Sequence, residues 1–280
     1  MTSKWLVIFC FVENPQIVWG FSKALALMKI LFLCYNLHIN KTPERTSIMN
    51  FFGNNKDKKI SPEERKAKSH SFIKPLGIDY NENLPCVESS SEVKLKDIDT
   101  ICTRAIACLI STQLACDINA KYDYEESKTV FSNLLKKFGV ENNLLDIEKR
   151  LFENQYSERD VINVSWSYEC YWALVWALGL INDDEFKIPN NICDCEKAIK
   201  LVCDCNTFDE FKAKTKIRDI EEILDMLDLY YRYHWACVEK QVNPEANIGD
   251  LDPGVVMERR KGLEWLISDV EDWNKISLDT

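Results

Sequence analysis

The twelve residues Cys170–Ile181, CYWALVWALGLI, are apolar on every side of a helix. No other feature restricts the fold as much. A helix without a polar face must be surrounded by protein, so this run predicts a central core helix. A membrane span takes roughly 20 apolar residues, so the run is too short to be one. It ends a longer helical segment. That segment starts at Ser157, with Asp160 three residues on in a capping-box-like pattern, and stops at Gly179.

The rest of the chain reads as further helices around it. Ser61-Pro62 followed by Glu63-Glu64 predicts a capped start, with helix to about Lys74. GIDYNENLPCVE then reads as an extended connector. Ile98, Ile101, Cys102, Ala105, Cys108 and Leu109 recur at three-four spacing and predict helix from about Asp97 to Asp117. Further helices are expected at about Glu125–Phe138, Asn142–Asn154, Asp194–Cys203, Thr207–Lys214, Ile217–Gln241 and Asp252–Asp269. There is no run of alternating residues long enough for a sheet, and no repeat. The fold class is all-α: a single irregular multi-helix domain with a central apolar helix and one long amphipathic helix.

Residues 61–280 form this expected domain, residues 49–60 a polar linker, and residues 1–48 an apolar N-terminal extension. In the extension, Glu13 to Gln16 split the apolar stretch, and Lys23 and Lys29 interrupt its second half. Met49 opens a sequence with the character of a soluble N-terminus. The extension reads as an over-long start, with a membrane anchor or a packed helix as the other readings. It carries five basic residues against Glu13 and Glu44, which leaves 30 basic and 43 acidic residues in the remaining 232. An acidic body repels phosphate backbones, so nucleic acid is not an expected partner, and a membrane is one only if residues 1–48 are genuine. The twelve cysteines fall mostly inside apolar helical runs, as small buried hydrophobes in a reducing, cytoplasmic setting. Cys193-Asp-Cys195 and Cys203-Asp-Cys205 invite a zinc reading. Residues two apart on a helix diverge, however, and no metal or other cofactor is expected.

The segment Arg218–Val238, RDIEEILDMLDLYYRYHWACV, concentrates the polar chemistry. Helical geometry places Ile220, Leu224, Leu227, Tyr231, Trp235 and Val238 on a core-facing arc. Arg218, Glu221, Asp225, Asp228, Arg232 and Glu239 form a charged stripe beside it. Asp228 and Arg232 are four apart and suited to pair. His234 lies on the other flank. On the central helix, Glu169 shares a face with Trp172 and Trp176, where a carboxylate is costly unless paired. Arg104, Arg232, Arg259 and His234 are its candidate partners. Glu258 and Arg259, in MERRKGLEWL, are placed to close a network with the long helix.

With these blocks assembled, the chain resembles the domain-of-unknown-function family 4272, a widespread family of mainly bacterial proteins. The resemblance runs from about Ser61 to Thr280. It rests on LGIDYNENLP, SWSYECYWALVWALGLI, ICD at Ile192–Asp194, RDIEEILDMLDLYYRYHWA, GVVMERRKGLEWL and the DWNKISLDT tail. The family commonly has an arginine where this chain has Ser167, and often Ala-Leu-Asn-Trp-Leu where this chain has Gly262–Leu266. The resemblance implies a helical fold and points to Glu169, Asp225, Asp228, Arg232, His234, Trp235, Glu258 and Arg259. It brings no reaction.

Two functions fit these residues. In one the chain is a cytoplasmic binding or interaction module, with a protein as partner, and the polar residues hold helices in register. In the other it is an enzyme acting on a small anionic or polar substrate, with Glu169 or Asp225 as base, His234 as acid, and Arg232 or Arg259 as anion clamp. The enzyme requires these groups to converge on an open pocket.

Overall fold

The computed structural model describes residues 59–280. The expectations for residues 1–48 and for most of the linker lie outside them. The described residues form α-helices joined by turns and short 3-10 segments, with no strand among them.

Most helices begin and end where their local chemistry dictates. Helix α1 (Pro62–Ile73) starts with a reciprocal cap: Glu64 N–H donates to Ser61 Oγ and Ser61 N–H to the Glu64 carboxylate, both at 3.1 Å. Helix α2 (Ile98–Asn119) is capped by Asp97, and α3 (Tyr124–Phe138) by Asp123. Gly139 stops α3 in the left-handed conformation, φ +69°. Helix α5 (Glu158–Ala177) has the expected Ser157–Asp160 cap. Helices α6 (Cys195–Cys203), α7 (Phe208–Ala213) and α9 (Pro253–Ile267) follow the same rules, with Asp252 capping α9 ahead of Pro253.

Two boundaries differ from the sequence expectation. Helix α4 is only Asp146–Phe152, because Glu148 turns back to cap Leu145 N–H at 2.8 Å and Arg104 holds the Asn143 carbonyl at 3.1 Å. The long helix α8 starts at Ile220, three residues late. Lys216 N–H and Arg218 N–H are spent on the carbonyls of Leu178 and Ala177 at the end of α5, and Asp219 then supplies the cap.

In space the principal helices form a row: α3 packs on α2, α2 on α5, α5 on α9, α9 on α8, and α8 on α1. Helix α5 is central, as its apolar surface requires; Tyr168 to Ala177 are all buried. Helix α2 is long and apolar enough to cross a membrane by length and composition, and 83% of that stretch is buried inside the fold. It is fixed to α5 by polar side chains as well as apolar ones: Thr112 Oγ1 donates to the Val164 carbonyl at 3.1 Å, and Cys108 Sγ to that of Ser167 at 3.3 Å.

The core-facing arc expected on α8 is rotated. Leu224 and Leu227 are buried, but Tyr231, Trp235 and Val238 are only half-buried. Tyr230, Tyr233, Ala236 and Cys237 take the core instead. The helix is covered on two sides, by α9 and by α1, so a single amphipathic arc does not describe it.

Close approach of α5 and α9 sets the position of the polar groups described below. A Cβ added at Gly262 would stand 2.8 Å from Ala173 Cβ and 2.9 Å from the Cys170 carbonyl oxygen. Neither neighbour is the end of a flexible chain. Gly262→Ala, although it restores the residue common in the resembling family, is therefore expected to destabilise this chain by about 1–3 kcal/mol through overpacking, as read by denaturant unfolding.

Candidate functional site

The central carboxylate, Glu169, has found one of its four candidate partners. Its Oε2 accepts from Arg259 Nε at 2.8 Å, and both side chains are 2% exposed. Its Oε1 accepts from the Cys193 N–H at 2.7 Å. Burial opposes the charge on Arg259, but the Glu169 carboxylate and the Tyr230 hydroxyl together outweigh it and lift the guanidinium above its ordinary value.

The rest of Arg259 is directed at the backbone of one loop. Nη1 donates to the Phe186 carbonyl at 3.3 Å and Nη2 to that of Asn191 at 3.2 Å. Other helices send donors to the same loop. Tyr230 Oη reaches the Phe186 carbonyl at 2.5 Å, and Tyr233 Oη that of Lys187 at 3.3 Å. Trp172 Nε1 reaches the Glu185 carbonyl at 3.2 Å, and Trp176 Nε1 donates to Asp183 Oδ1 at 2.9 Å. The Phe186 ring is sealed between Trp176, stacked at 5.0 Å, and Tyr230 at 5.1 Å. Burial pushes the Tyr230 hydroxyl up to about 12, against the pull of Arg259. Residues 183–193 are thus mounted on α5, α8 and α9 by buried polar side chains. The sequence singles out Glu169 and Arg259, but the loop they serve carries no pattern that names it.

The charged stripe expected on the surface of α8 is largely covered. Asp228 and Arg232 pair at 2.6 Å with both side chains at 0% exposure. Arg232 Nη2 also donates to the Pro85 carbonyl at 2.7 Å, so the connector after α1 closes over the pair. Asp225 accepts from Arg65 Nε at 3.1 Å and from Lys68. Glu221 accepts from Arg65 Nη2 at 2.5 Å and from Ser90 Oγ. Arg65, fully buried, was not singled out from the sequence. Its signal is its spacing, since Arg65, Ser69 and Ile73 recur every four residues on the buried face of α1. Arg104, a candidate partner for Glu169, instead pairs with Glu148, its Nη2 donating to both carboxylate oxygens at 2.6 and 2.7 Å. Burial raises the Glu148 carboxyl above its usual value, and Arg104 opposes that.

The remaining candidates stand apart from the Glu169–Arg259 pair. Glu258 pairs with Lys261 at 2.7 Å and accepts from Cys170 Sγ at 3.2 Å. His234 Nδ1 accepts from Arg260 Nη1 at 2.7 Å. Arg260 also holds Glu264 and the carbonyls of Leu278 and Asp279, which docks the C-terminal tail. Burial and then Arg260 lower His234 to about 4, so it is a neutral acceptor at pH 7. Trp235 is half-buried and borders a separate pocket. Ser167, in the place of the family's common arginine, bonds back to the Asn163 carbonyl of its own helix at 3.3 Å.

The seven polar candidates are therefore engaged in separate contacts, Trp235 borders a pocket of its own, and the eight do not converge on one cavity. The open cleft lies elsewhere, between α1, the start of α8 and the mounted loop. It encloses about 260 Å³ and is lined by Lys68, Phe72, Trp176, Asp183, Lys187 and Arg218, with Asp225 the only candidate among its walls. Lys187 Nζ sits 3.8 Å from the centre of the Phe72 ring, and the Arg218 guanidinium 4.6 Å from that of Trp176.

The ten described cysteines are free thiols, eight of them buried. Burial pushes Cys108 and Cys237 up to about 12 and Cys102 and Cys203 to about 11, which keeps them protonated. Among the described residues, no three His, Cys, Asp or Glu side chains are grouped to hold a metal ion.

Fold and polar architecture define an all-α protein whose buried ion pairs fasten helices to a loop beside an open cleft. A family model described as Domain of unknown function (DUF4272) matches residues 65–276, and the chain belongs to that family. No curated protein and no solved structure matches it.

Two outcomes follow from these pairs. Arg259→Met leaves Glu169 buried without its cation and is expected to cost about 3–5 kcal/mol. The amides of residues 183–193 should then exchange faster with solvent, while Lys149→Met, which breaks an exposed pair, should cost under about 1 kcal/mol. His234 is protonated more readily in the unfolded chain, where its value is 6.5, than in the fold, where it is about 4. Its contribution to stability is full above that unfolded value and is lost as pH falls towards the folded one. His234→Asn keeps an acceptor for Arg260 and should flatten this part of the stability–pH curve.

Proposed function

We propose that this chain is a soluble cytoplasmic binding module that recognises its partner with the cleft between α1, α8 and the loop 183–189. The observation that carries this reading is the mounting of the loop. Donors from α5, α8 and α9 end on its backbone and on the Asp183 carboxylate, and they fix the two residues, Asp183 and Lys187, that it lends to the cleft. Rigid presentation of a recognition loop lowers the entropy lost on binding. The buried, protonated thiols and the burial of α2 agree with a soluble protein of a reducing compartment.

The enzymatic reading gains no such support. Glu169 is closed off by Arg259 and Cys193, and His234 is engaged by Arg260. Asp225 does border the cleft, but both of its oxygens already accept from Arg65 and Lys68. The proposed acid, His234, and the proposed anion clamps, Arg232 and Arg259, are not among the residues that line the cleft with it.

A thermal-shift screen of metabolites, nucleotides and short peptides tests the proposal. The expected hit stabilises the wild type and loses its effect in Lys187→Glu, whose unliganded melting temperature falls by only a few degrees, because the contact of Lys187 with the Phe72 ring is worth about 0.5–1 kcal/mol. The reading is overturned if a stabilising compound is consumed by the protein, as followed by mass spectrometry, and its turnover disappears in Asp225→Asn.

A further inference from the structure

The far end of α8 borders a second recess, of about 340 Å³, between the turn after α1 and the loop 243–249. Tyr80 and Trp235 supply its aromatic surface, Ile78 an apolar one, and Asp79 and Glu239 its carboxylates. No lysine or arginine lines it. Its walls are tied together: Asp79 N–H donates to the Asn247 carbonyl at 2.8 Å, and Asn247 N–H returns to Asp79 Oδ2 at 2.7 Å. The recess is thus shaped before anything enters it.

Its rings and carboxylates are both left without one of the chain's own cations. Among the described residues, eight aromatic rings carry one of the chain's own cations: Lys96 on Trp265, Arg104 on Trp273, Lys128 on Tyr124, Lys137 on Phe138, Lys187 on Phe72, Arg218 on Trp176, Arg259 on Phe186, and Arg232 with Arg260 on Tyr231. Neither Tyr80 nor Trp235 is among them. The Tyr80 ring packs against the His70 ring at 4.4 Å. The carboxylates are similarly uncompensated. Glu239, half-buried, takes only a 3.4 Å contact from Asn243 Nδ2, and Asp79 takes the single backbone N–H. Neither belongs to any of the described ion pairs. Lys240, next to Glu239 in sequence, is turned onto the Pro244 carbonyl at 2.5 Å.

From this arrangement we infer that the Tyr80–Trp235 recess is a binding site for an organic cation of the alkylammonium class. The ring quadrupoles attract a positive charge, the carboxylates neutralise it, and the apolar wall takes its alkyl groups. A strongly hydrated inorganic ion gains less, because two carboxylates supply only part of the oxygen shell that would have to replace its water. The cation is either a free small ammonium or a methylated lysine side chain of a partner.

The site is tested by following the Trp235 indole N–H by NMR while titrating tetramethylammonium chloride. Potassium chloride at equal ionic strength and tert-butanol, a neutral compound of similar shape, are the controls. Saturable shifts with tetramethylammonium alone are expected, weakened at least tenfold by Glu239→Gln. In Trp235→Leu, calorimetry should show the same weakening. The Glu239→Gln substitution keeps the size of the side chain and breaks no ion pair, so the fold is expected to stay in place. A second titration with a tripeptide containing trimethyllysine separates the sources. Tighter binding of the peptide supports a protein side chain as ligand, and equal or tighter binding of the free ammonium supports a small molecule. The inference is overturned if tert-butanol produces the same shifts, if potassium chloride does, or if tetramethylammonium binds Glu239→Gln as well as the wild type.

Discussion

Where α5 crosses α9, a carboxylate and a guanidinium without access to water face each other, and much of the structure is arranged around them. Removing both charges from solvent is unfavourable by several kcal/mol per ion unless their remaining hydrogen-bonding capacity is met. Glu169 meets it with the Cys193 amide, and Arg259 with the carbonyls of Phe186 and Asn191. The loop is therefore a chemical requirement of the pair. The pair in turn requires α9 to lie tight against α5, which the absence of a side chain at Gly262 permits.

The same logic recurs along the row of helices. Arg104 with Glu148 ties α2 to α4, and Arg65 with Glu221 and Asp225 ties α1 to α8. Arg260 ties α9 to His234 of α8 and to the C-terminal tail. Arginine suits these places because its planar, always-charged fork satisfies a carboxylate and one or two carbonyls at once. Such pairs are modest sources of stability but strict selectors of geometry. A slip of one helix turn would strand a charge in an apolar interior. The surfaces left open, the cleft beside Lys187 and the recess beside Trp235, lie against elements held in this way.

Much of the fold was legible because helix ends are local events. Ser61, Asp97, Ser157, Thr207 and Asp252 each cap a helix through their own side chains, and Gly139 and Gly179 turn the chain at helix ends. The central position of α5 was legible too, since a helix apolar on all sides has one stable environment. The polar groups were only half legible. That Glu169 needs a cation follows from its tryptophan neighbours in sequence; that the cation is Arg259 and not Arg104 does not. The stripe on α8 was read as surface because helical periodicity assumes one covered side. Helix α1 and the Pro85 segment cover a second side and bury Asp228 and Arg232.

What the sequence determined by itself was therefore an all-α chain with a core helix at Cys170–Ile181, helix limits correct to within a few residues at most ends, and a set of charges too apolar in their surroundings to stand alone. Their partners, and the face of α8 that meets the core, were decided by the tertiary structure. Arg65 and Glu221 are 156 residues apart, Glu169 and Arg259 are 90, and Arg232 and Pro85 are 147. Caps and periodicity act over one or two turns of chain, whereas the satisfaction of a buried charge depends on whatever remote segment packing brings within about 3 Å.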